Sequence, residues 1–270
     1  MSKNPALHSL KNAPILEFDP TPTAILEPHN PPLSCEPVDR AVLCFFFDVF
    51  ASLVDQGRLE DVGALSSEIG RSPVYRLVHN GESLLVFHPG IGAPLAVGFL
   101  EELISLGVKR FIACGGCGVL DAAHEVGAVY IPTSAVRDEG TSYHYLAPSR
   151  EVQPHPAAVN ALKKACTLQA IPFRLVKTWT TDAIYRETRA RRDLRLQEGC
   201  ETVEMEAAAF FAVAKFRGVQ FGQLLYGGDL VVPEGWDKRG WNERVSTREN
   251  LFWLAVDALL RMPPTNSTTE

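Results

Sequence analysis

The chain has 270 residues, 46% of them hydrophobic and 21% charged, enough apolar material for one sizeable core and too much for a disordered chain. A net charge of −6 excludes nucleic acid or an anionic membrane surface as the main partner, and no apolar run is long enough to span a bilayer. The opening stretch MSKNPALHSLKNAPILEF lacks the apolar core and cleavage site of a signal peptide, so a cytoplasmic location is expected. Cys35, Cys44, Cys114, Cys117, Cys166 and Cys200 sit mostly in apolar contexts, as reduced thiols do. Cys114 and Cys117 form a C-x-x-C, but no second Cys or His pair lies at zinc spacing, so no metal is expected.

Residues 1–37 hold eight of the 19 prolines and little periodicity. They predict an extended arm lying over the surface or a neighbouring subunit, with one short strand at Ala24–Leu26. From residue 38 to 262 the pattern is that of one α/β domain. AVLCFFFDVFASLVDQ starts as a buried strand (Ala41–Phe46) and turns helical, with Val49, Phe50, Leu53 and Val54 on one face. A short connection, SSEIGRSP, precedes a hairpin of strands Val74–Val78 and Leu84–Phe87 turning at Asn80-Gly81. A Gly-rich turn, a helix over Ala93–Leu106 and an apolar strand Arg110–Cys114 then form a strand–helix–strand crossover, the unit of parallel or mixed sheets.

Ala128–Val136 is a further strand, followed by the polar loop RDEGTSYHY. A helix over Pro156–Gln169, a strand Phe173–Trp179 and the loop TTDAIYRETRARRD come next. Thr202–Gly218 leads into an alanine-rich buried helix, and strand Val219–Tyr226 follows. After a long polar loop with Trp236 and Trp241, a last helix spans Thr247–Arg261 and stops before Pro263-Pro264. Residues 263–270 read as a loose tail. The expected architecture is a single domain with a central mixed, partly parallel sheet flanked by helices.

In such sheets ligands bind beyond the carboxyl ends of strands. Those ends carry HPGIGAP (88–94), ACGGCG (113–118), VRDEGTSYHY (136–145), TTDAIY (180–185), VEME (203–206) and YGGD (226–229). Each has a plain structural reading beside a functional one. HPGIGAP suffices as a turn before a helix, Asp229 as a turn residue, and Arg137, Asp138 and Glu139 as a solvated charge cluster. Glu204 and Glu206 suit a helix N-terminus as caps, yet two carboxylates entering a buried helix also fit a binding site. The three glycines of ACGGCG let a backbone approach a ligand or another chain closely.

The order and spacing of these six motifs resemble the nucleoside phosphorylase-I superfamily, which includes uridine phosphorylase, hexameric purine nucleoside phosphorylase and related nucleosidases. The resemblance covers residues 40–262, with VEMEA its most specific piece and VRDEGTSYHY similar to the uridine branch. It implies a nucleoside phosphorylase-like fold and a pentosyltransferase that cleaves a ribosyl N-glycosidic bond with inorganic phosphate, without a cofactor. By motif position Glu206 would bind the ribose hydroxyls, with Glu204 and Met205 completing the sugar wall. The base would lie near Cys117, Gly118, Val203, Ile184 and Tyr185, and Asp229 matches the acid that protonates a purine. Glu206 and Asp229 are therefore the expected catalytic pair.

On the nucleophile side the chain departs from the family. FFFDVF (45–50) replaces the glycine and arginine that end the first strand, Ala113 stands at a second arginine position, and Gly116 stands where Ser or Thr is usual. A phosphate site would then rest on Gly90, Gly116 and either Arg71 or Arg137, since phosphate needs cationic forks or oriented backbone donors. Two other readings remain open. In a nucleoside hydrolase water replaces phosphate, activated by Asp48 or Glu68; in a binding or assembly protein only the fold is kept. A homo-oligomer with sites near subunit interfaces is expected from the Pro-rich arm, FFFDVF and the resemblance.

Overall fold

A computed structural model describes residues 13–29 and 32–265. Period-two alternation sets its layers. In β1 (Arg40–Cys44), Val42 and Cys44 face one apolar layer while Ala41 and Leu43 face the other. The first layer packs under α1 (Phe47–Asp55), and the hairpin β2 (Leu59–Ser67), β3 (Gly70–His79) and β4 (Glu82–Phe87) extends the sheet from β1. Its β3–β4 turn is the predicted Asn80-Gly81, with φ of 52° and 79°, the paired positive values that match strand twist. Helix α2 (Ala93–Ser105) then crosses the second layer to β5 (Arg110–Val119), which pairs parallel with β1.

Strand β5 outruns β1 by five residues, and that difference shapes the molecule. β6 (Val129–Asp138), the two-residue β7 (Glu151–Val152) and α3 (Pro156–Leu168) lead to β8 (Phe173–Thr181), parallel to β6. After α4 (Arg189–Gln197), strand β9 (Cys200–Glu204) pairs with β8 and takes the edge of β5 that β1 has vacated, through Gly118↔Val203. Helix α5 (Ala207–Arg217) returns the chain to β10 (Gln220–Val232), on the opposite edge of β5, which also pairs with β6. Strands β5, β9, β8, β6 and β10 thus close into a ring. The short β11 (Gly235–Asp237) folds back on β10, and α6 (Val245–Leu260) joins α1 and α3 in the first layer.

This is the single α/β domain with a mixed sheet expected from the sequence. Helix α5 has no polar face: Ala207–Ala214 are all buried, and its small residues let it lie close to the stacked rings of Phe210 and Phe221, 4.7 Å apart. It ends at Gly218, whose φ of +66° is the left-handed cap that glycine adopts without strain. Among the described residues no helix is long and apolar enough to cross a membrane.

Several local expectations need correction. Ala24–Leu26 forms no strand; Ile25 and Leu26 are fully exposed, and Pro20, Pro22 and Pro28 around them remove ladder donors. The described part of the N-terminal segment lies on its own domain. Ser34 donates from N and Oγ to Val62 O (2.7 and 3.0 Å), and Arg217 donates to Pro22 O (2.8 Å). Residues 1–12 and 30–31 of the expected arm, and 266–270 of the expected tail, lie outside the described residues. SSEIGRSP (66–73), expected as a connection, is the β2–β3 turn with its flanking strand ends; the rest of β2, with one face solvated, carries no expectation from sequence, and α4 begins in an expected loop because Arg195 is its one buried residue. Strands β5 and β10 continue through their glycines, β10 with a register shift between Gly227 and Leu230, so ACGGCG and YGGD are strand, not loop.

Candidate functional site

The carboxyl ends of β1, β5, β9 and β10 converge on one cavity of about 920 Å³. Its best-built wall is the turn from β9 into α5. Glu204 is 7% exposed and fully engaged: Oε1 accepts from Thr180 Oγ1 (2.6 Å) and Thr178 Oγ1 (3.4 Å), and Oε2 from the N–H groups of Glu206 and Ala207 (2.7 and 2.6 Å). It caps α5 from within the sheet, so the capping expectation and the cavity wall are one arrangement. Glu206 is 6% exposed, and its Oε1 accepts the Gly92 N–H at 2.6 Å, the single hydrogen bond its side chain makes among the described residues. That bond locks α5 to the start of α2, and Gly92 supplies it from a φ of +91°.

Burial pushes both carboxyls up, Glu204 to about 7 and Glu206 to about 8, with the neighbouring Glu204 charge adding to the shift of Glu206. The donors aimed at Glu204 favour its ionised form. Glu206 is therefore the harder of the two to ionise.

The second wall is a β-bulge. Gly227 pairs with Cys117 and Leu230 with Val119, so Gly228 and Asp229 together oppose Gly118. The bulge turns Asp229 toward Gly118: a Cβ on that glycine would sit 3.5 Å from Asp229 Oδ2 and 2.9 Å from Val203 Cγ1. Trp236 Nε1 donates to Asp229 Oδ2 at 2.7 Å. Arg239 pins the bulge from behind, donating to Gly228 O through Nη2 (2.8 Å) and Nε (3.1 Å) and to His124 O through Nη1 (2.8 Å). Glu187 lines the cavity half-buried, and burial together with the Asp229 charge pushes it up to about 7.

The loop carrying Glu187 is held by a clamp. Asp138 Oδ2 accepts both Trp179 Nε1 (2.9 Å) and Arg195 Nη2 (3.0 Å), which fixes α4 against β6 and β8. On the remaining wall the ring of Phe45 packs over Gly115, and the Arg248 guanidinium lies 5.3 Å from the ring centres of both Phe46 and Trp241.

Of the residues singled out from sequence, Glu204, Met205 and Glu206 share this cavity with Asp229. Cys117, Gly118 and Val203 line it as well, as do Gly116, Ile184 and Tyr185. Cys117 is a buried wall thiol that donates to Tyr226 O (3.4 Å), and burial pushes it well above the usual thiol range. Tyr185 is 93% exposed at the rim.

Three candidates lie elsewhere. Arg71 sits in the outer hairpin, paired with Asp61 at 2.7 Å. Arg137 is buried with its guanidinium spent on Ser142 Oγ, Leu146 O, Ala147 O and Ser149 Oγ, which hold the 141–149 loop. Gly90 is tied to His88 Nδ1 by its N–H (3.1 Å), one residue before Ile91 of the cavity wall. As for the water-activating candidates, Glu68 is exposed in the β2–β3 turn and Asp48 is paired with Arg248 at 2.9 Å.

The sequence reading missed Glu187, Gln223, Trp236 and Arg248, all on the cavity wall. Two of them carried a signal. Gln223 is polar inside the fully buried run of β10, and Arg248 stands on the apolar stripe of α6, four residues before buried Phe252. Among the described residues no group of three His, Cys, Asp or Glu side chains is placed to hold a metal ion.

With this geometry in hand, comparison with known proteins is informative. The family model for the phosphorylase superfamily matches residues 39–250. The guanosine phosphorylase of Halorubrum lacusprofundi is 31% identical over 176 residues, covering 63% of this chain and 73% of the relative. The uridine phosphorylase of Haemophilus influenzae is 27% identical over 159 residues, 54% of this chain and 63% of the relative. Among solved structures, the purine nucleoside phosphorylase of Toxoplasma gondii superposes with a TM-score of 0.70 at 22% identity, over 84% of this chain and 92% of that one.

Proposed function

The chain belongs to the phosphorylase superfamily, and from that premise we propose that it is a nucleoside phosphorylase: it splits the N-glycosidic bond of a ribonucleoside with inorganic phosphate, giving free base and ribose 1-phosphate. The relatives named guanosine and uridine phosphorylase support the reaction. The observation that carries it in this chain is Glu206, a buried carboxyl on the cavity wall with one oxygen anchored to the Gly92 N–H and the other unbonded among the described residues. Ribose hydroxyls supply the donors that such a group lacks. Hydroxyl donors favour the ionised form of Glu206, and as the C1′–N bond breaks and positive charge builds on the sugar, the carboxylate so formed holds that charge more strongly than it holds the ground state.

Glu204 positions Glu206, and Met205 completes the sugar wall. The bond's electron pair leaves with the base, and Asp229 delivers a proton to it while Trp236 holds the other carboxylate oxygen. A phosphate oxygen then bonds to C1′. The acid on the bulge favours a purine, with Cys117, Gly118, Val203, Ile184 and Tyr185 around the ring. Phosphate is the co-substrate, and the cleavage as written needs no further cofactor.

The same proposal includes a homo-oligomer, supported by apolar side chains exposed beside the cavity, Phe47 at 77% and Ile91 at 70%. It also includes a cytoplasmic location, supported by six cysteines free of disulfides. Residues 38–262 are proposed as the catalytic unit, with the N-terminal arm accessory to it.

A nucleoside panel assayed with and without phosphate, with the sugar product identified, tests the function. Ribose 1-phosphate formed only with phosphate is the expected result. Equal rates without phosphate and free ribose as product would make the chain a hydrolase, the reading favoured by Phe45 and Phe46 at the end of β1. No turnover on any nucleoside would leave a binding protein.

A further inference from the structure

The nucleophile side of the cavity presents Phe45 and Phe46 where β1 ends, and the two arginines considered from sequence are spent elsewhere. A phosphate dianion still needs a cation and directed donors. Two cationic side chains line the cavity, Arg189 and Arg248. Arg189 is exposed at the first turn of α4, next to Thr188 and Glu187 on the base side. Arg248 is different. Its guanidinium lies against Phe46 and Trp241, Nη1 donates to Asp48 Oδ1 at 2.9 Å, and Nε donates to Tyr226 Oη at 3.3 Å. These contacts hold the plane of the fork, while Nη2 makes no hydrogen bond among the described residues.

A second group points the same way. Gln223 is 1% exposed and lines the cavity, and its Oε1 is buried without a partner. Its side-chain amide makes no hydrogen bond among the described residues. A buried amide left unpaired is costly, and such groups in native proteins call for an explanation. Gly116 adds room. It is exposed to the cavity, and a Cβ there would meet the Tyr226 ring at 3.3 Å, so a side chain at that position would crowd the recess beside Arg248, whose Nε donates to Tyr226 Oη.

We propose that Arg248 and Gln223 form the inorganic phosphate subsite of this chain, the guanidinium Nη2 and the amide Nε2 donating to ionised phosphate oxygens and Gln223 Oε1 accepting from the remaining P–OH, over the Gly115–Gly116 backbone. The assignment rests on the phosphorylase reading. It moves the anion-binding charge from the strand ends to α6, and it gives Asp48 a definite part. Asp48 orients Arg248, but its Oδ2 is buried without a partner and its charge opposes that of the incoming dianion.

That opposition supplies the test. The phosphate KM is measured at saturating nucleoside for wild type, Arg248→Met, Gln223→Leu and Asp48→Asn, each checked for folding by circular dichroism. Arg248→Met is expected to raise the phosphate KM about 10- to 100-fold, and Gln223→Leu several-fold, the range for losing a charge-assisted and a neutral hydrogen bond. The nucleoside KM should stay within about twofold. Asp48→Asn keeps the cation and removes the competing charge, so it is expected to lower the phosphate KM.

If Arg248 served only as the ion-pair partner of Asp48, Arg248→Met and Asp48→Asn would change the phosphate KM alike, and that result would overturn the assignment. An unchanged phosphate KM in folded Arg248→Met would do the same. Should Arg248→Met fail to fold, a phosphate KM left unchanged in Gln223→Leu and not lowered in Asp48→Asn overturns it equally. A wild type that releases base at the same rate without phosphate defeats the phosphorylase reading itself, and that arm is read before any variant is compared.

Discussion

Glu206→Gln should make the protein more stable and less active, and the stability effect should depend on pH. The wild-type chain holds two carboxyls two residues apart, both buried, with Glu204 receiving the donors that favour its charge. Burial and the Glu204 charge raise Glu206 from 4.5 to about 8. Between those values the folded chain keeps a proton that the unfolded chain has lost, so this group's contribution to stability falls as pH rises through the window. At 1.36 kcal/mol per unit, the shift bounds the loss at about 5 kcal/mol above pH 8.

Screening by the effective dielectric near an open cavity brings the expected figure to about 1–2 kcal/mol, or a rise in Tm of about 2–4 °C for a chain of this size. A glutamine keeps the shape, accepts the Gly92 N–H through its oxygen, and has no charge to lose. Melting curves at pH 5 and pH 8 should therefore show little difference between variant and wild type at the lower pH and a more stable variant at the higher one. The same substitution removes the carboxyl proposed to ionise against the ribose hydroxyls and should reduce kcat/KM about 10- to 100-fold, the worth of one charge-assisted hydrogen bond. A variant less stable than wild type at pH 8, or a Tm shift equal at both pH values, would refute the view that Glu206 is a strained, uncompensated acid.

Other consequences are equally accessible. Glu187, held up near 7 by burial and by Asp229, should give wild type a kcat/KM that declines as pH rises through 7, because an ionised Glu187 opposes the negative charge that the departing base acquires. Glu187→Gln should flatten that limb, and an unaltered profile would remove Glu187 from the base site. In Gly118→Ala the new methyl would lie 2.9 Å from Val203 Cγ1 and 3.2 Å from Val231 Cγ2; a nucleoside KM raised roughly tenfold and stability lowered by about 1–3 kcal/mol are expected. Arg239→Ala releases the Gly228 carbonyl and so loosens Asp229; steady-state kinetics should show kcat down about tenfold with the phosphate KM unchanged.

How much of this could be foreseen depended on where the chemistry sat. The residues of VEME and ACGGCG lie together because helix and strand periods carry them to one sheet edge, and both periods are legible in apolar spacing. The hairpin at Asn80-Gly81 was legible for a similar reason: positive φ at two successive residues narrows the choice of side chains. By contrast, β2 and α4 are amphipathic elements with mostly solvated faces, and nothing in RARRDLRLQ marks Arg195 as the one residue that turns inward to Asp138. Arg137 shows the limit from the other side. Its charge in a polar loop at a strand end reads as a ligand contact, yet it is consumed by four oxygens of the loop it supports. Partners more than a hundred residues apart, such as Gly92 with Glu206, leave no local pattern at all.

The closed strand ring also explains why the two sides of the cavity differ in how far they can drift. Glu204, Glu206 and Asp229 are fixed by backbone: two N–H groups of α5, the N–H of Gly92, and a bulge in β10 set against Gly118. Moving any one of them means repacking α5, α2 or the ring itself, so the sugar and base walls tolerate little change. The nucleophile side is built from side chains alone. Phe45 and Phe46 lie just past the last residue of β1; Phe45 N–H makes the last bond to β5, at Cys114 O (3.1 Å), and Phe46 O begins α1, which leaves their rings as what they offer the cavity. A cation needs only to reach the same recess, and it can do so from any element that borders it. Arg248 reaches it from α6, across a helix–sheet contact already packed by Phe252 and Leu251. On the proposed assignment, a chain can thus exchange its anion-binding groups while the carboxylates assigned to the sugar stay in place.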